Sequence, residues 1–487
     1  MMALAPTPVK GQTPPPRPPV ASPPAPPPTA VGPRLPLSLA DAVFIGLRDN
    51  RTVKSAYITR VAEKFDLYVA KARFRPTASL EGEVDATRDS GVGGSTVSLT
   101  PTATWLIPTG AQFQASFTRL DDRTGGMDAG TTIATLSVTQ PLLRGGGIAV
   151  NTAPVKIAEL QERINQLTLK STVIDTVTNI IVAYRTLAAA QQELVIADQS
   201  LNRSRSQLQT NQALIDAGRM AAAEIVQTQA DIANQQVALL QAEQARNSAQ
   251  LALLRLLAMD LHTNVVAADA IDVRHLTIDL DHVIGVALEN RPDYLSARRA
   301  LEQGRQSLIV AKNDRLWTLS AIASVQHQSF SGAGLIPIDP TTGLPIAQAG
   351  TSASVGLQLT IPIGDVALEQ EEVQATTTLR TQQVELEDLR QEIEAQVRDA
   401  VQGVELTWRE VEAARQAGDL AARTLDLEHQ LLSAGRASNF EVLSFEANRR
   451  AADIQTLSAQ IAYLNALTSL DQQLGTTLDT WKISLND

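Results

Sequence analysis

With 487 residues and a formal charge of −11, the chain has the length of two or three ordinary domains, but Lys and Arg form no basic face for nucleic acid. It has no cysteine, which excludes a disulfide framework, a cysteine-based zinc site and a lipidated N-terminal cysteine in this form of the chain. The five histidines (His262, His275, His282, His327 and His429) lack ligand spacing, so no metal site or other cofactor is expected; with no run of about 18 apolar residues, a membrane protein of this composition would have to be a β-barrel.

The chain opens on Met1-Met2-Ala3-Leu4-Ala5-Pro6, which has neither a charged n-region nor an apolar h-region, so no signal peptide is visible there. An exported protein would need a signal upstream of this start or already removed. Of 24 prolines, 14 precede residue 37, among them Pro14-Pro15-Pro16 and Pro26-Pro27-Pro28. Residues 1–36 therefore read as an extended, polyproline-like disordered linker.

The rest is rich in Ala, Leu, Gln, Glu and Arg, the residues of long helices. A helix is predicted over about 39–72. Four strands follow, about 76–88, 95–106, 111–119 and 131–139, each alternating with period two. Thus Leu80, Gly82 and Val84 alternate with Glu81, Glu83 and Asp85, and Val97 and Leu99 with Ser98 and Thr100. A helix from about Ile148 to Leu214 would be ~100 Å long at 1.5 Å per residue. A tip at 214–224 and a returning helix of about 221–258 complete the first half. The second half repeats the order: a helix near 280–313, two strands (about 318–328 and 352–361), a long helix from Val366 to Leu432, a tip at 431–441 and a helix of about 438–475. In its long helix, Leu386, Leu389, Ile393, Val397, Val401, Val404, Trp408 and Val411 form a narrow apolar seam. One short and one medium helix stacked end to end equal one long one, as a tube of uniform height needs.

The two halves, 37–275 and 276–487, are predicted to be tandem copies. Leu214-Ile215-Asp216-Ala217-Gly218-Arg219 is echoed by Leu431-Leu432-Ser433-Ala434-Gly435-Arg436, and Glu224-Ile225-Val226 by Glu441-Val442-Leu443. Near each start, Asp49-Asn50-Arg51 matches Glu289-Asn290-Arg291. The strands suit a wall with lipid on one side and water on the other, and equally a half-buried soluble sheet.

Order, spacing and duplication together resemble the TolC-type outer-membrane efflux protein family, the outer membrane factors, over essentially the whole chain after residue 36. Leu37-Ser38-Leu39-Ala40-Asp41-Ala42 followed by Asn50 looks like the family's opening helix. Gln140-Pro141-Leu142-Leu143-Arg144-Gly145 and Ile361-Pro362-Ile363-Gly364 resemble its strand-to-helix re-entries. The resemblance implies an α+β membrane protein whose long coiled-coil helices form a periplasmic α-barrel below a transmembrane β-barrel, assembled as a homotrimer from two internal repeats. Its implied role is that of an outer-membrane exit channel, passively conducting drugs, metals or secreted polypeptides for an efflux pump or type I secretion system. Its implied partners are outer-membrane lipid, a periplasmic adaptor (membrane fusion protein) and an inner-membrane pump. No enzyme activity is implied, and neither a nucleophile elbow nor a phosphate-cradling loop occurs.

Gly218, Arg219 and Ala221, with Gly435, Arg436 and Ser438, resemble the family's tips, where a small residue three after the glycine lets adaptor helices mesh. Turn chemistry alone explains the glycines, and Ser438 with Glu441 forms a predicted capping box. Glu224 and Glu441 fall where the family carries acidic residues near the periplasmic constriction; the alternative is a cap for Glu441 and a solvated face for Glu224. Ser444 and Gln227 are neutral where a second acidic ring is expected, which points to weaker closure. Six strands per protomer leave two barrels open, one of 18 strands and one of 12 with an extra hairpin beyond the membrane. A soluble periplasmic coiled-coil adaptor or scaffold is the competing reading.

Overall fold

A computed structural model describes residues 34–89, 91–332 and 349–485. Most of the Pro-rich segment, residues 1–33, lies outside the described residues. Its last residues belong to a short strand, β1 (Leu35–Leu37), which pairs in parallel with a strand from the middle of the chain.

The first helical stretch is two helices, α1 (Leu39–Asp49) and α2 (Arg51–Ala72), parted at Asn50. Asn50 adopts extended ψ and its side-chain oxygen accepts from the Thr52 and Val53 amides, ending one helix and capping the next. Then come β2 (Thr77–Asp89), β3 (Val92–Leu106), β4 (Gln112–Thr124) and β5 (Met127–Pro141). Helix α3 (Ile148–Asp216) runs 69 residues, about 100 Å. A 3-10 turn (Ala222–Glu224) leads into α4 (Ile225–Leu256), and β6 (Val265–Ala267) pairs with β1.

The second half supplies α5 (Leu280–Asn290), α6 (Pro292–Asp314), β7 (Thr318–Ser331), β8 (Gly350–Thr360), α7 (Val366–Ser433), α8 (Asn439–Leu474) and the short α9 (Thr477–Thr480). Here too one predicted helix is two, because Pro292 drives the preceding Arg291 out of the helical region. Both breaks are joints between stacked helices. The Asn50 side-chain amide donates to the carbonyl of Leu256, the last residue of α4, at 2.7 Å. Arg291 reaches the Gln473 side chain at 2.8 Å near the end of α8.

Two apolar cores hold the bundle. One gathers Val43, Val53, Val173, Val177, Ile180, Ile181, Leu187, Leu253 and Leu254 around α3. The other is built on the α7 seam, Ile393, Val397, Val404 and Val411, against Tyr463 and Leu470 of α8. One window of α3 is, by length and composition, apolar enough to cross a membrane although it is not an unbroken apolar run; 61% of it is buried inside the protein, as in a core helix. Between α2 and α3 lies a buried ion pair, Arg60 with Glu162, bonded through both carboxylate oxygens, one at 2.9 Å.

All six long strands form one antiparallel sheet in the order β2-β3-β4-β5-β7-β8. The β3–β4 ladder is interrupted at Thr100 and Pro101, where proline lacks the amide a ladder bond needs. One face carries Leu80 and Val84 (β2), Val97 and Leu99 (β3), Phe113 and Phe117 (β4), Leu136 and Val138 (β5), Val325 (β7) and Val355, Leu357 and Leu359 (β8), brought together by the register. In the single chain this face is largely open: Val84 is 74% and Val355 88% exposed. Toward the hairpin ends the same face turns polar, with Arg119, Asp121 and Arg123 opposite Thr132, Gly130 and Asp128. The other face is mostly Thr, Ser and Gln, and on β2 it is acidic through Glu81, Glu83 and Asp85.

Candidate functional site

At the end of the bundle remote from the sheet, two helix turns lie side by side. Helix α3 closes with Gly218 at φ +70°, its amide on the Ile215 carbonyl and that of Arg219 on Leu214. Helix α7 closes identically, with Gly435 at φ +73° and amides of Gly435 and Arg436 on Leu432 and Leu431. Both are left-handed glycine caps. The returns differ for a chemical reason. Ser438 accepts from the Glu441 amide and Glu441 accepts from the Ser438 amide at 2.7 Å, a complete capping box. The matching residue of the other turn is Ala221, which has no side-chain acceptor, and there the chain tightens into the 3-10 turn before α4. Arg219 ties the turns together, donating to the Ser433 carbonyl at 2.9 Å.

The sequence-derived residues thus share one end of the molecule. Gly218, Arg219, Ala221, Gly435, Arg436 and Ser438 are exposed. Glu224 is half-buried at the start of α4, beside Arg219 and Asn439 in a cleft of about 160 Å³. Glu441 sits at the start of α8 with its carboxylate engaged in the cap; hydrogen bonds from the Ser438 amide and hydroxyl hold its pKa below the ordinary carboxylate value.

Behind the turns lies a buried polar network that sequence reading missed. Asn211 (α3), Thr228 (α4) and Asn439 (α8) are all completely buried. The Asn211 amide donates to Thr228 and to Asn439 at 2.7 Å each, and Gln207 donates to Asn211 at 2.7 Å. A second layer follows: Ser204 donates to Asp231, Gln235 to Asp231, Arg450 to Gln235, and Arg203 to Glu446 at 2.9 Å. The helices are held by apolar packing in the middle of the bundle and by hydrogen bonds near the turns. Two apolar side chains, Val226 and Phe440, are exposed beside the turns. An apolar residue two positions after the Ser438 cap, in the first turn of α8, was the only signal available for Phe440.

Burial alone would raise the Glu446 pKa, but the His429 ring at 3.6 Å and the hydrogen bond from Arg203 at 2.9 Å hold it below the ordinary carboxylate value. Its ionised form therefore stabilises the α3–α8 contact above pH 4.5, and this contribution is lost as pH falls through the lowered value. Amide exchange in the first turns of α8 is expected to accelerate across that acidic window in the native chain. Glu446→Gln should flatten the acceleration; an unchanged profile in the variant would remove Glu446 as its cause.

Among the described residues, no three of His, Asp and Glu converge as metal ligands would. The model of the family described as outer membrane efflux protein matches residues 49–259 and 283–476.

The chain belongs to this family.

No curated protein matches it. Among solved structures, the CmeC outer membrane channel of Campylobacter jejuni is similar over 90% of this chain and 86% of its own, at 14% identity and a TM-score of 0.67. The open state of the MtrE outer membrane channel of Neisseria gonorrhoeae is similar over 90% and 89%, at 16% identity and a TM-score of 0.67. The outer membrane protein VceC of Vibrio cholerae is similar over 90% and 96%, at 17% identity and a TM-score of 0.66. The efflux-family fold therefore extends over nearly the whole chain; at these identities the likeness concerns the fold.

Proposed function

We propose that the chain is the outer-membrane exit channel of a tripartite efflux pump or type I secretion system, working as a homotrimer. It is a passive conduit whose cargo is moved by an inner-membrane pump and handed over by a periplasmic adaptor. The observation that carries this reading is the sheet: one face apolar and open, the other polar, at the end of helices about 100 Å long. An apolar face of that extent on a single chain needs lipid to cover it. On this reading the two halves of the chain are internal repeats, β2–β5, β7 and β8 cross the outer membrane, and the helices stand in the periplasm.

The paired turns are the end that meets the adaptor. Ala221 and Ser438 are small enough for close helix approach, and Val226 and Phe440 supply apolar contact. Glu224 and Glu441, three copies of each, ring the narrow periplasmic end and favour cations. The polar network around Asn211 suits an end that must open, since separating hydrogen-bonded helices exposes groups that water can satisfy.

Planar-bilayer recording of the detergent-purified protein tests this. Channel currents with a preference for cations and block by divalent ions from the turn side are expected. In the Glu224→Gln/Glu441→Gln variant that block should fall by roughly tenfold, about 1.4 kcal/mol. Gln at position 441 still accepts the capping hydrogen bond, so the variant alters charge more than stability. A protein that stays in aqueous buffer and carries no current would instead be a soluble scaffold.

A further inference from the structure

The sheet has two free edges, β2 and β8. In the hydrocarbon of a membrane each unpaired backbone group costs several kcal/mol, so neither edge can stay open. With six strands in an antiparallel meander, β2 runs away from the helices and β8 runs back toward them. The two edges of neighbouring copies are therefore antiparallel to each other.

The register has the stagger of a barrel wall. Followed across the hydrogen bonds, Thr77 at the start of β2 leads through Thr104, Gln114, Ser137 and Ser324 to Ser354. Ser354 lies six residues inside the helix-side end of β8 at Thr360. Continuing onto β2 of a second copy, level helix-side ends set Thr360 opposite Thr77 or Ser79, and face parity then puts Ser354 opposite Glu83 or Asp85. A stagger of six or eight residues per six strands tilts the strands by about 35–43°, within the range of membrane barrels.

The middle hairpin cannot be set aside from this wall. Its turn, 107–111, is fastened at the helix-side rim: the Gly147 amide donates to the Thr109 carbonyl at 3.0 Å, Gln140 donates to the same carbonyl, and Ala111 is buried. Strands β3 and β4 each pair along nearly their whole length with both neighbours.

We propose that β8 of each copy pairs with β2 of the next, closing three copies into an eighteen-stranded barrel; this rests on the trimeric channel reading. Its backbone diameter is about 34 Å, against about 23 Å for twelve strands at the same tilt. Twelve helical tracks, four from each copy, packed at 9–10 Å make a tube about 36 Å across. The wider barrel therefore continues the helical tube without a neck, and the occupant of each free edge is a second copy of this chain. The inward face places Glu81, Glu83 and Asp85 of every copy along the seams between copies, so bulky cationic cargo fits this mouth better than anionic cargo.

The chain has no cysteine, so paired cysteines report on the seam directly. Purified E83C/S354C and D85C/S354C are oxidised with a mild catalyst, beside V84C/S354C, whose thiols lie on opposite faces. A native-mass measurement and a strand count by cryo-electron microscopy of the unmodified protein accompany them. Trimers of eighteen strands, with one of the same-face pairs converting most of the protein to a covalent trimer and V84C/S354C giving none, are expected. Trimers whose wall has twelve strands, with no covalent product in either register, would overturn the wide barrel and leave the channel reading intact. Absence of any trimer in detergent would overturn both.

Discussion

Glu162→Ala should cost about 3–5 kcal/mol, comparable to truncating one of the fully buried apolar side chains of the bundle. The carboxylate accepts from both terminal nitrogens of Arg60, and both side chains are at most 11% exposed. Removing it strands a guanidinium in the α2–α3 contact. The bond from Arg60 to Glu63 at 2.9 Å offsets part of the loss, so the lower end of the range is the better expectation. Thermal unfolding of the detergent-purified protein checks this through a lowered midpoint. The double variant Arg60→Met/Glu162→Leu fills the same space with no buried charge and should recover most of the midpoint. A Glu162→Ala protein as heat-resistant as the native one would mean that water reaches the pair.

Adjacent residues on β2 should respond in opposite ways to the same substitution. Val84 lies on the apolar face, beside the centre of the thirteen-residue strand β2; Glu83, at that centre, lies on the polar face. Arginine at a lipid-facing position near the bilayer midplane costs about 2–4 kcal/mol, and a trimer carries it three times. Val84→Arg is therefore expected to lose most assembled protein from the outer-membrane fraction. Glu83→Arg should assemble normally and shift ion preference toward anions. Quantitative blotting of membrane fractions and reversal potentials give the two readouts. Equal tolerance of both substitutions would mean that the apolar face does not meet lipid.

Much of the fold is legible in the sequence because its two periodicities are clean. The α7 seam from Leu389 to Val411 announces a helix with one buried stripe, and Val355, Leu357 and Leu359 against Ser354, Gly356 and Gln358 announce a strand. The helix joints are harder to read. Pro292 signals its break outright, whereas Asn50 sits in a helical pattern where asparagine is merely a poor helix former until its side chain finds the Thr52 and Val53 amides. Strand β4 runs to Thr124, past the apolar alternation, because Arg119, Asp121 and Arg123 still alternate in geometry after they cease to do so in polarity. The glycine turns are visible as a repeated hexapeptide. The Asn211–Thr228–Asn439 network is not, because Asn211 and Thr228 lie among polar neighbours that look solvated and Asn439 reads as part of the Ser438 cap. Its closure joins residues 228 positions apart.

The two kinds of helix also divide the mechanical labour. Helices α3 and α7 run 69 and 68 residues without interruption, while their companions meet at joints sealed by Asn50 against Leu256 and by Arg291 against Gln473. An unbroken helix behaves as a beam that carries a bend along its length; a butted pair behaves as a linkage that swivels at the pin. A twist applied at the turns need not travel to the sheet: the lower segments rotate about their joints while the beams flex only gently. On the channel reading proposed above, the far end can work through many cycles with the membrane anchorage undisturbed.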